Sequence, residues 1–302
     1  MIEGIIPAIV LPMDKNFNPA YDEYEKYVKW LTNTGIAGVA VNVDTGEGPL
    51  LLPKEKVETI KVAKLNSNGK KVVAGIIGSS TAMASEAAKE AKRAGADAGL
   101  IFPNLTLAGQ INDNTLVEYY RNLSEVADLD IILFQLQPAL GGLELPIDVL
   151  VQVAKLKRVI GIKEASFDAK KFLDTLRAFK KHVPNVSFLT GDDNFIYESF
   201  ILGCDGALIG FGTLAPKQIV NMFELVKKER YKEAGEIWER LLPLEEVIFE
   251  SPVRNYRAKT KYALNLLGVI KEEYTFVRPP LRAPNEDEKK RIKSSLKEAE
   301  LI

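Results

Sequence analysis

Val159-Ile160-Gly161-Ile162-Lys163-Glu164-Ala165-Ser166 is an apolar run that breaks into polar residues, the pattern of a buried strand at its end. Alternation places Gly161 and Lys163 on one face and Ile160 and Ile162 on the other. An unpaired ammonium at the end of an apolar strand is costly to bury, and its pKa falls. The neutral amine so produced is a nucleophile able to form a Schiff base with a carbonyl. The same pattern also fits a lysine that snorkels out of the strand end. The strand alone leaves both readings open.

Outward from this strand, short apolar runs alternate with segments of helical period. Strands are predicted at residues 4–12, 38–43, 72–77, 98–102, 131–136, 186–190 and 206–210, besides the lysine strand. Helices are predicted at 21–31, 53–65, 81–94, 112–127, 146–155, 169–181, 195–202 and 216–228. Eight such pairs imply an α/β protein with a parallel sheet closed into a (β/α)8 TIM barrel. An open doubly wound sheet is the alternative, but no Gly-rich dinucleotide turn follows the first strand. Beyond residue 229 the strand signal stops, and residues 231–241, 243–249, 257–267 and 286–299 read as helices. The expected organisation is a barrel over 1–228 and a C-terminal helical appendage over 229–302 packed on it or on a neighbouring subunit.

The 302 residues include 40 basic and 41 acidic ones, scattered along the chain, so there is no electrostatic case for nucleic acid or an anionic membrane. One cysteine and one histidine exclude an internal disulfide framework and a Cys/His zinc site. His182 should sit exposed at a helix end, and Cys204 should be a buried structural thiol. Met1-Ile2-Glu3-Gly4 lacks a basic leader, and no apolar run has the length of a membrane span, so a cytoplasmic protein is expected.

In a barrel the functional face gathers the C-terminal strand ends and the loops that follow them. Asp44-Thr45-Gly46-Glu47-Gly48, Phe134-Gln135-Leu136-Gln137-Pro138, Lys163 and Gly210-Phe211-Gly212-Thr213 fall there. The glycine-rich turn can present N–H groups to a carboxylate, although a threonine in such a loop more commonly caps the next element. Phe134 shares a face with Ile132 and should point inwards over the lysine.

These stretches together resemble the dihydrodipicolinate synthase and N-acetylneuraminate lyase family of class I aldolases. Gly4-Ile5-Ile6-Pro7-Ala8-Ile9-Val10-Leu11-Pro12 is similar to that family's opening strand, and Thr45-Gly46-Glu47 to its carboxylate-binding turn. Gly161-Ile162-Lys163-Glu164-Ala165-Ser166 is similar to its Schiff-base segment. Gly203-Cys204-Asp205-Gly206-Ala207-Leu208-Ile209 with Ala215-Pro216 is similar to its eighth strand and turn, and Arg278-Pro279-Pro280-Leu281 to its C-terminal signature. The resemblance implies that Lys163 attacks the ketone of a 2-oxo acid, usually pyruvate, and that no cofactor is needed because the lysine imine itself draws electrons from adjacent carbons. It further implies a homodimer or homotetramer. Thr45, Gly46, Phe134, Gln135, Ile209 and Thr213 then become candidate substrate-binding residues, with Asp44 as a candidate acid/base.

The chain departs from the family pattern at several positions. Asp44 stands where the turn usually has a hydroxyl or small residue, and Phe134 where the fifth strand usually ends in a tyrosine that relays protons. Pro103-Asn104-Leu105 replaces a Pro-Tyr-Tyr segment, Ala139-Leu140 replaces a carboxylate-holding arginine, and Thr213 replaces an asparagine. An ionised Asp44 would repel a substrate carboxylate ~4 Å away by about 1–4 kcal/mol, so Asp44 should be protonated or paired. Gln135 and Gln137 offer neutral hydrogen bonds, consistent with a less anionic second substrate. The leading expectation is a Schiff-base aldolase or lyase that is not an efficient dihydrodipicolinate synthase. The rivals are a 2-keto-3-deoxy sugar-acid dehydratase or aldolase using the same imine, and a barrel that has lost catalysis and survives as a ligand-binding or regulatory protein.

Overall fold

The computed structural model describes residues 1–108, 113–251 and 253–302. Its centre is eight parallel strands: β1 (Gly4–Pro7), β2 (Gly38–Val41), β3 (Lys71–Ile76), β4 (Ala98–Ile101), β5 (Asp130–Leu136), β6 (Val159–Ala165), β7 (Ser187–Thr190) and β8 (Gly206–Ile209). They are hydrogen-bonded in the order β1-β8-β7-β6-β5-β4-β3-β2. The ring closes where Ala37 N–H donates to the Ile5 carbonyl (2.8 Å) and Ile9 N–H to that of Ala40 (3.0 Å). No strand edge remains open, and the fold is a (β/α)8 barrel with C-terminal helices.

The helices are α1 (Tyr21–Thr32), α2 (Pro53–Asn66), α3 (Thr81–Ala94), α4 (Asp113–Val126), α5 (Ile147–Ala154), α6 (Ala169–His182), α7 (Ile196–Ile201) and α8 (Pro216–Lys227), followed by α9 (Tyr231–Phe249), α10 (Tyr256–Leu266) and α11 (Glu286–Glu298). The expected start of α4 at Asn112 lies outside the described residues. Local chemistry fixes several ends. Asp168 caps α6 by accepting from the N–H groups of Lys170 (2.9 Å) and Lys171 (3.0 Å). A reciprocal capping box between Asn285 and Glu288 opens α11.

Two expectations fail for identifiable reasons. Residues 231–249 form one helix rather than two, because α9 continues through Pro243, forgoing the backbone bond that proline cannot donate. Ile160 and Ile162 do not share a face. The β5 pairing steps from Ile131↔Val159 to Ile132↔Gly161, and this irregularity turns Ile160 towards the inner cluster while Ile162 stays among the helices.

Alternation above that irregularity sorts the apolar residues into two layers. Ile6, Val73, Leu100, Ile132, Leu189 and Leu208 fill the barrel's interior, and a larger cluster separates the strands from the helices. Among the C-terminal helices, α9 lies against α8 and α11, and α10 against α11. Phe249 at the end of α9, Val253 and Tyr256 at the start of α10 lie at the C-terminal end of the barrel, which is where the site lies.

Candidate active site

Lys163 leaves β6 between Phe134 of β5 and Leu189 of β7 and points into the barrel mouth. It is 9% exposed, and its ammonium lies 4.6 Å from the centre of the Phe134 ring. Phe134 is fixed edge-on against Phe102, centroids 5.2 Å apart at 88°. Gly191 makes room for the lysine stem, since a Cβ there would stand 2.5 Å from its Cε. Three lysines are buried. Lys259 is paired with Glu250 and Lys261 with Glu47, whereas Lys163 makes no ion pair or hydrogen bond among the described residues. Burial lowers its pKa, and the more distant carboxylates of Asp193, Asp44 and Asp192 oppose the shift.

The turn after β2 forms the opposite wall. Glu47 adopts a left-handed conformation (φ 59°) and the backbone folds tightly there, so that a Cβ on Gly48 would meet the Asn42 carbonyl at 1.7 Å. Glu47 is fully buried, accepting from Lys261 Nζ (2.6 Å) and from Arg278 N–H (2.7 Å). Arg278 in turn grips Glu55 through both guanidinium nitrogens (2.7 and 2.9 Å). The turn is thereby tied to α2, α10 and the segment before α11.

Asp44 is paired. Arg257 donates to its carboxylate and, at 2.6 Å, to its carbonyl, and the Arg254 guanidinium lies 3.5 Å away. Arg254 also donates to the Leu140 carbonyl, bringing a cation to the fifth-strand loop from a distant part of the chain. Two guanidiniums against one carboxylate leave this wall net positive, which removes the repulsion an ionised Asp44 would exert on an anionic substrate. Tyr256 completes the wall, its hydroxyl 3.0 Å from Asp44 Oδ2 and 3.2 Å from Thr45 Oγ1.

A set of buried acids lies beneath. Asp193 lines the lysine cavity and is pushed up to about 6 by burial, although its carboxylate accepts from Phe211 N–H (2.8 Å). Burial raises Glu164 to about 7 and Asp192 well above the usual carboxylate range, the charge of Glu164 adding to the shift of Asp192. Glu245 of α9 is raised to about 8, by burial first and by Asp193 second. Each of these acids holds its proton more tightly folded than unfolded. Their contribution to stability is therefore complete below about pH 4 and is lost as pH rises through 6–8. Glu245→Gln should reduce, by on the order of a few kcal/mol, the loss of unfolding free energy between pH 5 and pH 8 in urea titrations. An unchanged pH dependence in that variant would assign the effect elsewhere.

Of the residues singled out from the sequence, Asp44, Thr45, Phe134 and Lys163 line one cavity. The other four do not. Gly46 packs beneath the turn towards the Ile9 carbonyl. Gln135 turns its amide to the Leu145 backbone, accepting at 2.9 Å and donating at 3.0 Å, and does not line the cavity. Ile209 belongs to the layer between strands and helices. The Thr213 hydroxyl donates to the Gly210 carbonyl at 3.1 Å. The sequence reading missed Arg254, Tyr256 and Arg257. Their only signal is the density of polar side chains in Arg254-Asn255-Tyr256-Arg257, and nothing in the order of residues says that it meets Asp44, 213 positions before Arg257. Asp193 follows the seventh strand and was not singled out from the sequence.

The barrel is that of a class I aldolase or lyase, an enzyme. The chain belongs to the dihydrodipicolinate synthetase family, whose pattern it matches over residues 1–299. It is 27% identical over 98% of its length to 4-hydroxy-tetrahydrodipicolinate synthase 2 of Clostridium acetobutylicum, covering 99% of that protein. The crystal structure of dihydrodipicolinate synthase from Thermotoga maritima superposes with a TM-score of 0.89 at 26% identity, both chains covered completely. The chloride-inhibited enzyme from Acinetobacter baumannii, complexed with pyruvate, gives a TM-score of 0.87 at 26% identity, again over both full chains. No helix among the described residues is long and apolar enough to cross a membrane.

Proposed function

We propose that Lys163 forms a Schiff base with C2 of a 2-oxo acid, pyruvate being the donor, and that the resulting enamine makes or breaks a carbon–carbon bond. The observation that carries this reading is a buried lysine with no ion pair among the described residues. Burying an amine in that way favours its neutral form, which is the nucleophile. The pyruvate complex of the Acinetobacter baumannii relative supports the same donor. Thr45 and the positive wall behind Asp44 would face the donor's carboxylate.

The acceptor side differs from that of a dihydrodipicolinate-forming enzyme. Phe134 puts hydrocarbon where a proton-relaying phenol is usual, and Leu136, Leu140, Phe167 and Phe249 extend the apolar wall. We infer a weak dihydrodipicolinate-forming activity and better turnover with aldehydes that carry no carboxylate. Product analysis with pyruvate and a panel of aldehydes tests this. Formation of 4-hydroxy-tetrahydrodipicolinate at the rate of the Thermotoga maritima enzyme would overturn it.

Gly191→Ala probes the lysine's placement. The added methyl must displace the Lys163 stem, and a displacement of about 1 Å in a reacting group costs ~10²-fold in rate. Borohydride trapping with pyruvate should slow by about that factor, and the thermal midpoint should fall because the methyl also meets the Ala165 Cβ at 2.9 Å. An undiminished trapping rate would show that the stem repacks without moving its nitrogen.

A further inference from the structure

We propose that Tyr256, carried by the first turn of α10, is the acid/base residue of the lysine site, acting with Asp44 and Thr45 as a relay. This rests on the Schiff-base reading and deepens it. The Tyr256 hydroxyl donates to Asp44 Oδ2 at 3.0 Å, so its only hydrogen is committed there. The 3.2 Å contact with Thr45 must then run the other way, the threonine hydroxyl donating to the phenol oxygen. The three groups form an ordered chain on the wall of the cavity that also holds Lys163. The ring is held by stacking on Phe249, centroids 5.0 Å apart at 21°, and a Cβ on Gly210 would meet both Tyr256 Cε2 and Thr45 Oγ1 at 3.4 Å.

The charges around the phenol suit a group that gives up and recovers one proton. Burial and the Asp44 carboxylate hold it neutral at rest. Arg257, with Cζ 5.5 Å from the ring centre and a side chain 4% exposed, stands ready to stabilise a phenolate. The neutral amine of Lys163 adds to C2 and one of its protons passes to the oxygen, giving a carbinolamine. The phenol proton then passes to that hydroxyl, the C2–O bond breaks and water departs, leaving an iminium and the Tyr256 phenolate. The phenolate next removes a proton from C3, the C3–H electron pair becomes the enamine double bond, and the neutral phenol is restored. Each step conserves protons and electrons, and no outside oxidant or base is required.

The test follows deuterium exchange at C3 of pyruvate in D2O by proton NMR on the full chain, with borohydride trapping at Lys163 in parallel. Wild-type protein should trap and exchange. Tyr256→Phe should still yield the Lys163 adduct at long times but exchange about 10²-fold or more slowly, within the ~10²–10⁴ range for a lost acid/base group. Replacing Tyr256 by 3,5-difluorotyrosine keeps the shape and acidifies the phenol, and should move the pH profile of exchange to lower pH. A Tyr256→Phe variant exchanging within threefold of wild type would overturn the relay while leaving the Schiff base standing, as would an unmoved profile in the fluorinated protein. Failure of the wild type to trap pyruvate would remove both.

Discussion

Lys163→Ala is expected to abolish the borohydride-trapped pyruvate adduct and to lower turnover by about 10⁴–10⁶-fold, the scale on which loss of a covalent nucleophile is felt. The expectation comes from how the three buried lysines differ. Lys259 donates to Glu250 (2.7 Å) and to the Val247 carbonyl (3.0 Å), and Lys261 to Glu47 and the Phe276 carbonyl (both 2.6 Å). Each of those nitrogens is bonded to a carboxylate and a carbonyl, and neither lines the cavity that holds Lys163. Lys163 has burial without such bonds, so its neutral form is the accessible one. The wild-type trapping rate should accordingly rise with pH and level off below the 10.5 of an ordinary lysine. Peptide mapping that still found an adduct on another lysine in Lys163→Ala would sink the assignment.

Lys261→Met should destabilise the protein by about 3–5 kcal/mol, because it strands the fully buried Glu47 carboxylate. Glu47 would keep the Arg278 N–H but lose the only ammonium beside it among the described residues. The double variant Glu47→Gln with Lys261→Met removes both charges, and should be less destabilised than the sum of the single ones. Urea unfolding of the four proteins measures this. Glu47 also anchors the turn that presents Asp44 and Thr45, so Lys261→Met should raise KM for the 2-oxo acid more than it lowers kcat. A Lys261→Met protein within about 1 kcal/mol of wild type would show that the pair is replaceable.

Much of the architecture was legible because each strand and helix carries its own period. The eight repeats, the helices after residue 229 and the inward aim of Phe134 all follow from local alternation. The split expected at Pro243 and the shared face expected of Ile160 and Ile162 were not local matters. Surrounding packing carries α9 through its proline, and β5 dictates the irregularity in β6. At the site, Lys163, Asp44, Thr45 and Phe134 could be picked out because they end strands or fill turns on one face of a barrel. Gln135 looked equally available, and only the structure shows its amide turned to the Leu145 backbone.

By itself, the order of residues determined the barrel, the strand that carries the lysine and the phenylalanine that faces it from the fifth strand. What stands opposite that lysine was decided by the tertiary structure alone. Tyr256, Arg257 and Arg254 reach Asp44 across more than two hundred residues because the start of α10 is packed against the barrel mouth. Helical and strand periodicity report only neighbours within a few residues, whereas this contact depends on how α9, α10 and the buried Glu47–Lys261 pair pack against the barrel.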